Sequence, residues 1–337
     1  MHTFRREDAR AETLAQLARC SPSGRQELIE EYERRSLQAF APETLRNLRQ
    51  VTASFSAWCE ENGYSPAPPV DPRVVANYVE GLGGRLSSNT IETRLWAIAE
   101  MHRSKFLPSP CQHPLVQLAL KGVKRKYGVG RRQAPPLGKK EVLEVVRSMG
   151  TDRMSLRDRA IIWTASDSWC RVSELVAFRV CDLLRQTDCS SLLYIARSKT
   201  DQFGEGSYAY LSEAGTEAVL AWLECAGLKD TDPLFTKSQP GGKRMPLAPA
   251  TVSRMIKRRF GRNDVSPHSM RVGGVHDAFR LGCSLSAIMV AGRWTSPEMP
   301  ARYGRKILAS QSAAAEVARA FAEREEPAAQ YNPLSKP

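Results

Sequence analysis

The stretch HSMRVGG, residues 268–274, places a histidine and an arginine three positions apart, on one face of a helix. Ser266 and Pro267 directly before it are typical of a helix start, with serine as the N-cap and proline at the first helical position. The backbone N–H groups of such a first turn also point toward an anion. His268 and Arg271 therefore predict a site for an anionic group, although a surface or capping role would leave the same pattern.

Three further segments carry residue types that can do chemistry. CRVSELVAFR sets Arg171 at a helix start with Glu174 on the same face, and RSKT sets Lys199 in a predicted hairpin turn. AGRWTSPEMPARYGR contains Trp294 and, nine residues later, Tyr303. Each feature alone is common in structural roles, so only the ordered set is informative.

The ordered set resembles the active site of the tyrosine recombinases, the phage-integrase family. It comprises Arg171, Glu174, Lys199, His268, Arg271, Trp294 and Tyr303. Trp294 stands where most members of that family carry a second histidine. FSAWCEENG through HRSKFLPSP resembles the helical DNA-clamping domain of the same family, so the resemblance covers roughly residues 40–325. The proline pair before Tyr303, Pro297 and Pro300, departs from the family pattern and leaves the start of the tyrosine helix open.

This resemblance implies that Tyr303 is the nucleophile of a DNA-cutting reaction. Exchange of one phosphodiester for a phosphotyrosyl bond of similar energy removes the need for ATP. A tyrosine hydroxyl has a pKa near 10, so only about one in a thousand is ionised at neutral pH and a neighbouring group must accept its proton. The implied acceptor is His268.

The other members of the set have implied roles around the scissile phosphate. Arg171 and Arg271 can each hold its non-bridging oxygens through paired hydrogen bonds as negative charge develops. Lys199, on a hairpin turn, can protonate the leaving 5′ oxygen as general acid. Trp294 offers an indole N–H and an apolar wall. Glu174 helps to hold the site rather than to react.

We expect no cofactor and no metal. The nearest Gly-Lys combinations, PLGKKE and GGKRM, lack the spacing of a phosphate-binding P-loop. The sequence shows no carboxylate cluster of the two-metal type, and the arginines and lysine already supply positive charge.

The distribution of charge indicates a polyanionic partner. The chain has 49 Lys and Arg against 36 Asp and Glu, a net charge of +13. Residues 121–140 and residues 237–262 each hold eight Lys or Arg and no acid, so the whole excess lies in these two segments. A charge run is often only a solvated face, but two acid-free runs on an otherwise balanced chain favour nucleic acid.

We expect the DNA contacts to come from basic and polar residues on helices, in the linker and in the second basic run. A solvated basic face would carry the same residues, so each single assignment stays open. The segment APATVSRMIKRRF corresponds by resemblance to a recognition helix. The candidates are Arg46, Arg49, Asn89, Thr90, Arg94, Lys124, Arg125, Lys126, Arg131, Arg132, Lys243, Arg244, Arg254, Lys257 and Arg258.

Hydrophobic spacing predicts a helical first part of the chain. The apolar repeat from Leu45 to Cys59 predicts an amphipathic helix that starts at Pro42 and stops before Gly63. Asn89, with a glutamate three residues later, predicts a second helix with a capping box. Later, SLLYIARS and SYAYLS flank the turn KTDQFGEG and predict a β-hairpin.

The predicted fold is mainly α, with an all-helical N-terminal DNA-clamp domain and a mainly helical catalytic domain that carries a small antiparallel β-sheet. By resemblance the two domains close as a C around DNA. Because KGVKRKYGVGRRQAPPLGKKE is rich in glycine, proline and basic residues, we read it as a linker that cannot continue a helix. The boundaries are an arm over residues 1–40, a helical DNA-binding domain over 41–122, a linker over 123–138, a catalytic domain over 139–326 and a tail over 327–337.

Cysteine usage and hydropathy predict an intracellular protein. The eight cysteines show no C-x-x-C and no zinc spacing, and they mostly lie in apolar stretches, so we expect reduced, buried thiols. The N-terminal residues carry charges where a signal peptide needs an apolar run, and no membrane-spanning stretch occurs. We expect a cytoplasmic protein, associated with the nucleoid when bound to DNA.

The C-terminal segment KILASQSAAAEVARAFAERE, residues 306–325, predicts one Ala-rich helix with an apolar stripe. The stripe comprises Ile307, Leu308, Ala314, Val317, Ala318 and Phe321. Periodicity alone favours packing on its own domain, whereas the resemblance implies exchange of this helix between the protomers of a homotetramer on DNA.

Together with the basic charge, the resemblance implies a site-specific recombinase that acts on double-stranded DNA with an inverted-repeat site and passes through a Holliday junction. A type IB topoisomerase would share the chemistry but relax supercoils as a monomer. A non-catalytic DNA-binding protein on a recombinase scaffold is the alternative outside enzymes, and the presence of all seven residues argues against it.

Overall fold

The computed structural model describes residues 22–130, 133–198, 201, 204–237 and 244–322. The chain divides into two compact units, Met1–Arg132 and Gln133–Pro337, and the division falls inside the segment read as a linker. The described residues are mainly helical, with one small antiparallel sheet, which confirms the predicted fold class.

The first unit is all-helical in the described residues. Its helices are α1 (Pro22–Ala39), α2 (Pro42–Glu61), α3 (Pro72–Leu82), α4 (Ser88–Arg103) and α5 (Pro114–Tyr127). The predicted amphipathic helix is confirmed as α2, which starts at Pro42 and buries Val51, Phe55 and Cys59. Phe55 packs edge-on against Tyr78 of α3 with ring centroids 5.0 Å apart, at the centre of the core of this unit.

Three sequence expectations for this unit are corrected. Residues 22–39 form α1 instead of a loose arm, and α1 is joined to α4 by a hydrogen bond from Tyr32 to the buried Glu100. The N-cap of α4 is Ser87, whose hydroxyl accepts the Thr90 N–H at 3.2 Å, so the predicted start at Asn89 is two positions late. Residues 123–127 are helical because Val123 is buried in the core, which outweighs the glycine-rich composition of the segment.

The second unit surrounds a three-stranded sheet with helices. Its elements are α6 (Lys139–Arg147), α7 (Arg153–Ser168), α8 (Val172–Ala177), β1 (Leu183–Arg185), β2 (Ser191–Ile195), β3 (Ser207–Leu211), α9 (Glu213–Ala226), α10 (Pro249–Phe260), α11 (Pro267–Arg280), α12 (Leu285–Gly292), α13 (Glu298–Ser310) and α14 (Ala313–Ala322). The predicted hairpin is confirmed as β2 and β3, which pair antiparallel with Leu193 opposite Ala209. The short strand β1, which the sequence did not signal, adds to the other edge of β2.

The core of this unit lies between the sheet and helices α7, α9, α10 and α11. Leu193 and Leu211 point into it from alternate positions of the strands, as the period of two requires. Trp222 of α9 is fully buried, and its indole N–H donates to the Leu234 carbonyl at 2.8 Å. Residues of α7 and Met270 of α11 pack in this same core, which holds both helices next to the candidate site.

The two glycines of HSMRVGG allow α11 to approach its neighbours closely. A Cβ on Gly273 would lie 1.9 Å from the Leu137 carbonyl oxygen, and one on Gly274 would lie 2.1 Å from the Trp169 indole nitrogen. The Leu137 N–H also donates to the Ser269 carbonyl at 2.9 Å. Only glycine fits at these two contacts, which set the position of α11 beside the segment before α6 and beside the end of α7.

The C-terminal segment is two helices rather than the single helix predicted over residues 306–325. Helix α13 ends at Ser310 and α14 starts at Ala313, while the Gln311 side chain donates to the Phe279 carbonyl at 3.0 Å. Ile307 and Leu308 pack on the apolar cluster of α11 and α12. None of the residues of α14, all of which are described, is buried, so the predicted stripe divides between two environments.

The thiols are less buried than the sequence suggested. Cys59, Cys111 and Cys170 are buried, but Cys181, Cys189 and Cys283 are exposed. Cys189 and Cys283 lie in or beside turns, and Cys181 lies in the short 3-10 helix Val180–Asp182, which has no buried residue. No helix in the described part of the chain has the length and apolar composition needed to cross a membrane.

Candidate active site

Four chain segments of the second unit bring the predicted site residues together. Arg171 is the N-cap of α8 and Arg271 lies in α11. His268 lies in the first turn of α11, whose N-cap is Ser266 with Pro267 at the first position, as predicted. The Ser266 N–H donates to the Ser269 hydroxyl at 3.0 Å, which fixes this turn. Trp294 follows α12, and Tyr303 lies within α13.

The tyrosine hydroxyl meets the histidine ring. The Tyr303 Oη lies 3.1 Å from His268 Nε2, which is within hydrogen-bond distance. The ring centroids of these residues are 5.6 Å apart and nearly perpendicular, and the Trp294 ring approaches Tyr303 at 5.8 Å from another side. The hydroxyl is therefore held beside a group that can accept its proton.

The proline pair before Tyr303 sits inside the start of the tyrosine helix. Helix α13 begins at Glu298, with Pro297 as its N-cap and Pro300 buried within the first turn, where proline costs no intrahelical donor. The backbone carbonyl of Tyr303 accepts hydrogen bonds from His276 Nε2 at 2.9 Å and from Gln133 Nε2 at 3.3 Å. Both anchors come from other elements, so the helix that carries Tyr303 is fixed at the residue itself.

Arg271 is buried beneath the site, with an exposed fraction of 1%. Its Nη1 and Nη2 donate to the carbonyls of Trp169 and Gly292, each at 2.5 Å, and its guanidinium lies 4.2 Å from the centroid of the Trp294 ring. Burial, followed by the positive charges of Arg171 and Arg293, lowers the pKa of Arg271 to about 10. The group is thus a fixed cation at neutral pH, and each Nη keeps a second N–H for a further acceptor.

Arg171 is paired with Glu174 one helical turn away. Arg171 Nη1 donates to Glu174 Oε1 at 2.7 Å, and the Arg171 backbone N–H donates to Oε2 at 3.0 Å, so Glu174 closes a capping box at the start of α8. Arg293 Nη2 also donates to Oε2 at 3.0 Å. Burial alone would raise the pKa of Glu174, but the hydrogen bonds from Arg171 and the charges of Arg293 and Arg171 outweigh it and lower the pKa.

The electrostatics of the site keep His268 neutral. Burial by its surroundings, then the positive charges of Arg271 and Arg171, lower the pKa of His268 from its usual 6.5. At neutral pH the ring therefore carries one proton and offers one nitrogen as acceptor. Cys170, next to Arg171, has a pKa raised to about 11 by burial and stays a protonated thiol.

Lys199 lies outside the described residues. The neighbouring part of its loop is organised by Asp201, whose carboxylate accepts the backbone N–H groups of Gly204, Glu205 and Gly206 at 2.9, 3.0 and 2.8 Å. Six of the seven predicted catalytic residues are thus described. His268, Tyr303, Trp294 and Arg271 are joined by direct contacts, while Arg171 and Glu174 form a pair, and the charge of Arg171 acts on His268 and Arg271.

The candidate DNA-binding residues of the first unit differ in what holds them. Arg46 and Arg49 lie one turn apart on the exposed side of α2, where Arg46 pairs with Glu43 at 3.0 Å. Asn89 and Thr90 lie in the first turn of α4. Arg94 is turned inward, because its Nη1 donates to Tyr78 Oη at 2.6 Å and to Ser54 Oγ at 3.0 Å.

The basic end of α5 is exposed in part. Lys124 pairs with Glu92 of α4 at 2.5 Å, whereas Arg125 and Lys126 are exposed in the last turn. The candidates Arg131, Arg132 and Lys243 lie outside the described residues.

The second basic run is divided between α10 and the loop before it. Arg254 and Lys257 are exposed on α10. Arg258 Nη2 donates to the fully buried Asp158 at 3.1 Å, although its own side chain is 59% exposed. Arg244 is held by the carbonyls of Ala226 and Gly227, at 3.2 and 2.6 Å, which assigns this side chain a structural contact that its place in a basic run did not suggest.

Sequence reasoning missed three side chains that complete the site, namely Arg293, His276 and Trp169. Arg293 immediately precedes Trp294, and its neighbours Ser168, Trp169 and Glu174 are more than a hundred positions away in the chain. No local pattern signals such contacts. The one usable signal was that an arginine lies between Gly292 and Trp294, inside a segment already singled out.

Within the described residues, no group of three or more His, Cys, Asp or Glu side chains is placed to hold a metal ion. The arrangement supplies a hydroxyl, a neutral imidazole and three guanidiniums, two of which, those of Arg171 and Arg293, share the Glu174 carboxylate. Such a set can bind a phosphodiester, accept a proton from the hydroxyl and stabilise developing negative charge.

No family model matches the chain. The recombinase Cre of Escherichia phage P1 is 30% identical to it over 300 residues, which cover 81% of this chain and 87% of that protein. The integrase/recombinase XerD homologue of Selenomonas ruminantium is 27% identical over 300 residues, which cover 82% of this chain and 87% of that protein.

Solved structures resemble the fold at lower identity. The Tn1549 transposon integrase in complex with transposon right end DNA has a TM-score of 0.59 at 13% identity, and covers 89% of this chain and 99% of its own. A lambda integrase dimer bound to a core site has a TM-score of 0.54 at 16% identity, and covers 82% of this chain and 76% of its own.

Proposed function

Because the chain belongs to the tyrosine recombinase family, we propose that it cuts and rejoins double-stranded DNA at a specific site through a 3′-phosphotyrosyl bond to Tyr303. The observation that carries this assignment is the 3.1 Å contact between Tyr303 Oη and the neutral His268, beside the cations Arg171 and Arg271. A nucleophile, its proton acceptor and a binding site for charge on the phosphate are thereby adjacent.

The cleavage step uses these groups in order. Tyr303 Oη attacks the scissile phosphorus as its proton passes to His268 Nε2, and the bond from phosphorus to the 5′ oxygen breaks. The Arg171 and Arg271 guanidiniums stabilise the charge on the non-bridging oxygens, and the Trp294 indole N–H is a further donor. Lys199 gives its proton to the leaving 5′ oxygen. Attack by the 5′ hydroxyl of a partner strand reverses these steps and joins the strands.

We also propose how the protein assembles on its DNA partner. Two inverted half-sites would each bind one protomer, and two such sites would form a homotetramer in which strand exchange passes through a Holliday junction. The exposed residues Arg46, Arg49, Arg254 and Lys257 support contact with the DNA backbone or base edges. The protein would then act on DNA in the cytoplasm, associated with the nucleoid.

The alternatives are a type IB topoisomerase and a non-catalytic DNA-binding protein. Neither is favoured, because both relatives that span more than 80% of the chain are named recombinases. The presence of all seven residues in the sequence, six of which the structure describes, also argues against a decayed scaffold.

The test starts from a library of duplexes with random inverted repeats around a central spacer. The protein is incubated with the library in EDTA without ATP, and covalent protein–DNA adducts are collected under denaturing conditions and sequenced. We expect the adducts to converge on one inverted repeat, and two copies of it on one plasmid to recombine. Tyr303→Phe is the matched control and should give no adduct.

Two outcomes would contradict the proposal. Adducts spread over unrelated sequences, together with plasmid relaxation and no recombination, would favour the topoisomerase. Adducts that form only after magnesium is added would indicate a mechanism in which the fixed cations of the site do not suffice.

A further inference from the structure

Arg293 adopts a backbone conformation that few arginines adopt. It caps the C-terminus of α12 with φ 54° and ψ 48°, in the left-handed region. For an L-residue this conformation is unfavourable because Cβ approaches the following carbonyl, and glycine usually occupies such a cap. An arginine that holds this conformation directly before Trp294, whose ring contacts Tyr303, needs a compensating role for its side chain.

Both Nη groups of Arg293 donate to protein acceptors, whereas its Nε is buried without a hydrogen-bond partner in the described residues. The side chain is only 9% exposed. Nη1 donates to the carbonyls of Ser168 at 3.0 Å and Ala291 at 3.2 Å, while Nη2 donates to Glu174 Oε2 at 3.0 Å and lies 3.4 Å from the Trp169 carbonyl. A buried guanidinium whose Nη groups already donate to protein acceptors is placed to hold protein groups rather than a DNA phosphate.

The groups that Arg293 holds are the supports of both phosphate-binding arginines. Glu174 Oε2 is shared between Arg293 and the Arg171 backbone N–H, while Oε1 binds Arg171 Nη1 at 2.7 Å. The Trp169 carbonyl that Arg293 approaches also accepts from Arg271 Nη1 at 2.5 Å. Trp169 is itself left-handed, with φ 49°, at the end of α7. The Arg293 side chain therefore contacts both Glu174, which binds Arg171, and the Trp169 carbonyl, which binds Arg271.

Arg293 also alters the charge of the site. With Arg171 and Arg271 alone, one carboxylate would cancel half of the positive charge available to a phosphate. Arg293, as a second guanidinium on Glu174, leaves more of the Arg171 charge for an anionic substrate, and it lies in a region where burial strengthens such interactions.

From these contacts we propose that Arg293 is a positioning residue for DNA cleavage, which acts through Glu174 on Arg171 and through the Trp169 carbonyl on Arg271. The proposal rests on the catalytic roles proposed above for those two arginines. It predicts an effect on the rate of cleavage at saturating DNA and little effect on DNA affinity, because the Arg293 side chain is buried.

The test compares Arg293→Gly, Arg293→Lys, Glu174→Gln and the double variant Arg293→Gly/Glu174→Gln in single-turnover cleavage of the protein's own site at saturating protein. Glycine suits the left-handed backbone, so its effect reports loss of the side chain rather than strain. We expect Arg293→Gly to slow cleavage by about 10-fold to 100-fold, the range for loss of a group that orients a reacting residue. Arg293→Lys should fall between the wild type and Arg293→Gly, because an ammonium keeps the charge but not the planar fork.

The double variant separates positioning from a general structural effect. If Arg293 acts through Glu174, the double variant should cleave about as slowly as the slower single variant, and the two losses should not multiply. Arg159→Met is the control, since Arg159 is half-buried and, like Arg293, donates to two backbone carbonyls, those of Met149 at 2.7 Å and Gly150 at 3.0 Å, outside the site. It should cleave at the wild-type rate.

Three results would overturn the proposal: Arg293→Gly cleaving within about twofold of the wild type, losses that multiply in the double variant, or weakened DNA binding that accounts for the whole loss. If Arg293→Gly does not fold, Arg293→Lys decides alone, and an unchanged cleavage rate in it contradicts the proposal. The wild type in the same series tests the proposed function separately, since a wild type that cleaves beside an equally active Arg293→Gly refutes only the role of Arg293.

Discussion

The contact between Tyr303 and His268 brings the proposed nucleophile and its proposed proton acceptor together near the cations Arg171 and Arg271. A tyrosine hydroxyl is a weak nucleophile until a neighbouring group accepts its proton, and burial and the charges of Arg271 and Arg171 lower the pKa of His268, so that its ring is neutral beside Tyr303. Residue types and order in the sequence were enough to name both partners. They did not reveal that the exposed fraction of Arg271 is only 1% or that Arg293 and Arg171 both bind Glu174, because these facts depend on contacts between distant segments.

The first prediction concerns the pH dependence of cleavage. Because the pKa of His268 lies below 6.5 in the folded protein, the ring stays able to accept a proton at and above that pH. Protonation removes this capacity, so the single-turnover cleavage rate should be level from about pH 8 down to about pH 6.5 and decline only at lower pH. His113→Gln, in the first unit, is the control. An acidic decline centred above pH 6.5, or one that persists in His268→Gln, would show that another group is the acceptor.

A second prediction tests the general acid. Lys199→Ala should slow cleavage of ordinary DNA by about 10²-fold to 10⁴-fold, because the 5′ oxygen leaves poorly without a proton. A 5′-phosphorothiolate, whose sulfur leaves without protonation, should be cleaved with a much smaller loss. Lys229→Ala, an exposed lysine outside both basic runs, should cleave both substrates normally. Equal slowing of Lys199→Ala on the two substrates would remove Lys199 from this role.

The helices and strands match the sequence-based predictions where hydrophobic periodicity determines their position. They differ from these predictions where packing against distant segments determines it. The apolar repeat fixed the position of α2, and alternation fixed β2 and β3. The basic, glycine-containing end of α5 stayed helical because Val123 is buried, a contact that local composition cannot express. The break after Ser310 arises similarly, since Ile307 and Leu308 pack on the unit while the Gln311 side chain bonds the Phe279 carbonyl.

The third prediction concerns the approach of α11 to the segment before α6. Gly273→Ala would place a methyl group 1.9 Å from the Leu137 carbonyl oxygen, so the helix that carries His268 and Arg271 must shift. We expect a loss of at least about 1–3 kcal/mol in the free energy of unfolding, together with slower cleavage. Thermal unfolding measures the first and single-turnover cleavage the second.

The matched control is Gly122→Ala in α5. No atom lies within 4 Å of the added Cβ, and alanine favours a helix, so stability should be unchanged or raised by up to about 1 kcal/mol. A Gly273→Ala protein as stable and active as the wild type would mean that the contact with Leu137 does not set the position of α11.

On the scale of the whole molecule, charge and the C-terminal helix suit an assembly on DNA. The net charge of +13 indicated a polyanionic partner from composition alone. The exposed arginines of α2 and α10 show where part of this positive charge lies on the surface. Sequence could not show which basic residues are available, because Arg94, Arg244 and Arg258 are held by partners within their own units.

The fourth prediction concerns α14, in which Val317 is 55% exposed and Phe321 is 62% exposed. Deletion of residues 313–337 leaves Ile307, Leu308 and Gln311 in place, so the thermal midpoint and binding to a single half-site should change little. Cooperative binding of a second protomer and recombination should be lost, because we propose that α14 docks on a neighbouring protomer. Val317→Asp is the matched point variant and should act in the same direction.

Gel-shift titration on one and two half-sites, with plasmid recombination in parallel, separates the outcomes. A truncated protein that unfolds would place α14 in the core of its own unit. One that recombines at the normal rate would mean that other surfaces hold the tetramer.

We propose Tyr303 as the nucleophile, and the covalent DNA–peptide adduct tests this assignment directly. A suicide duplex of the protein's own site, nicked so that the cut strand diffuses away, traps the adduct for proteolysis and mass spectrometry. We predict that the DNA-linked peptide contains Tyr303, with DNA attached through its 3′ phosphate, and that Tyr303→Phe forms no adduct. Tyr331, which lies outside the described residues in a proline-containing tail, is the internal control. Attachment at Tyr331, or an adduct that persists in Tyr303→Phe, would contradict the account.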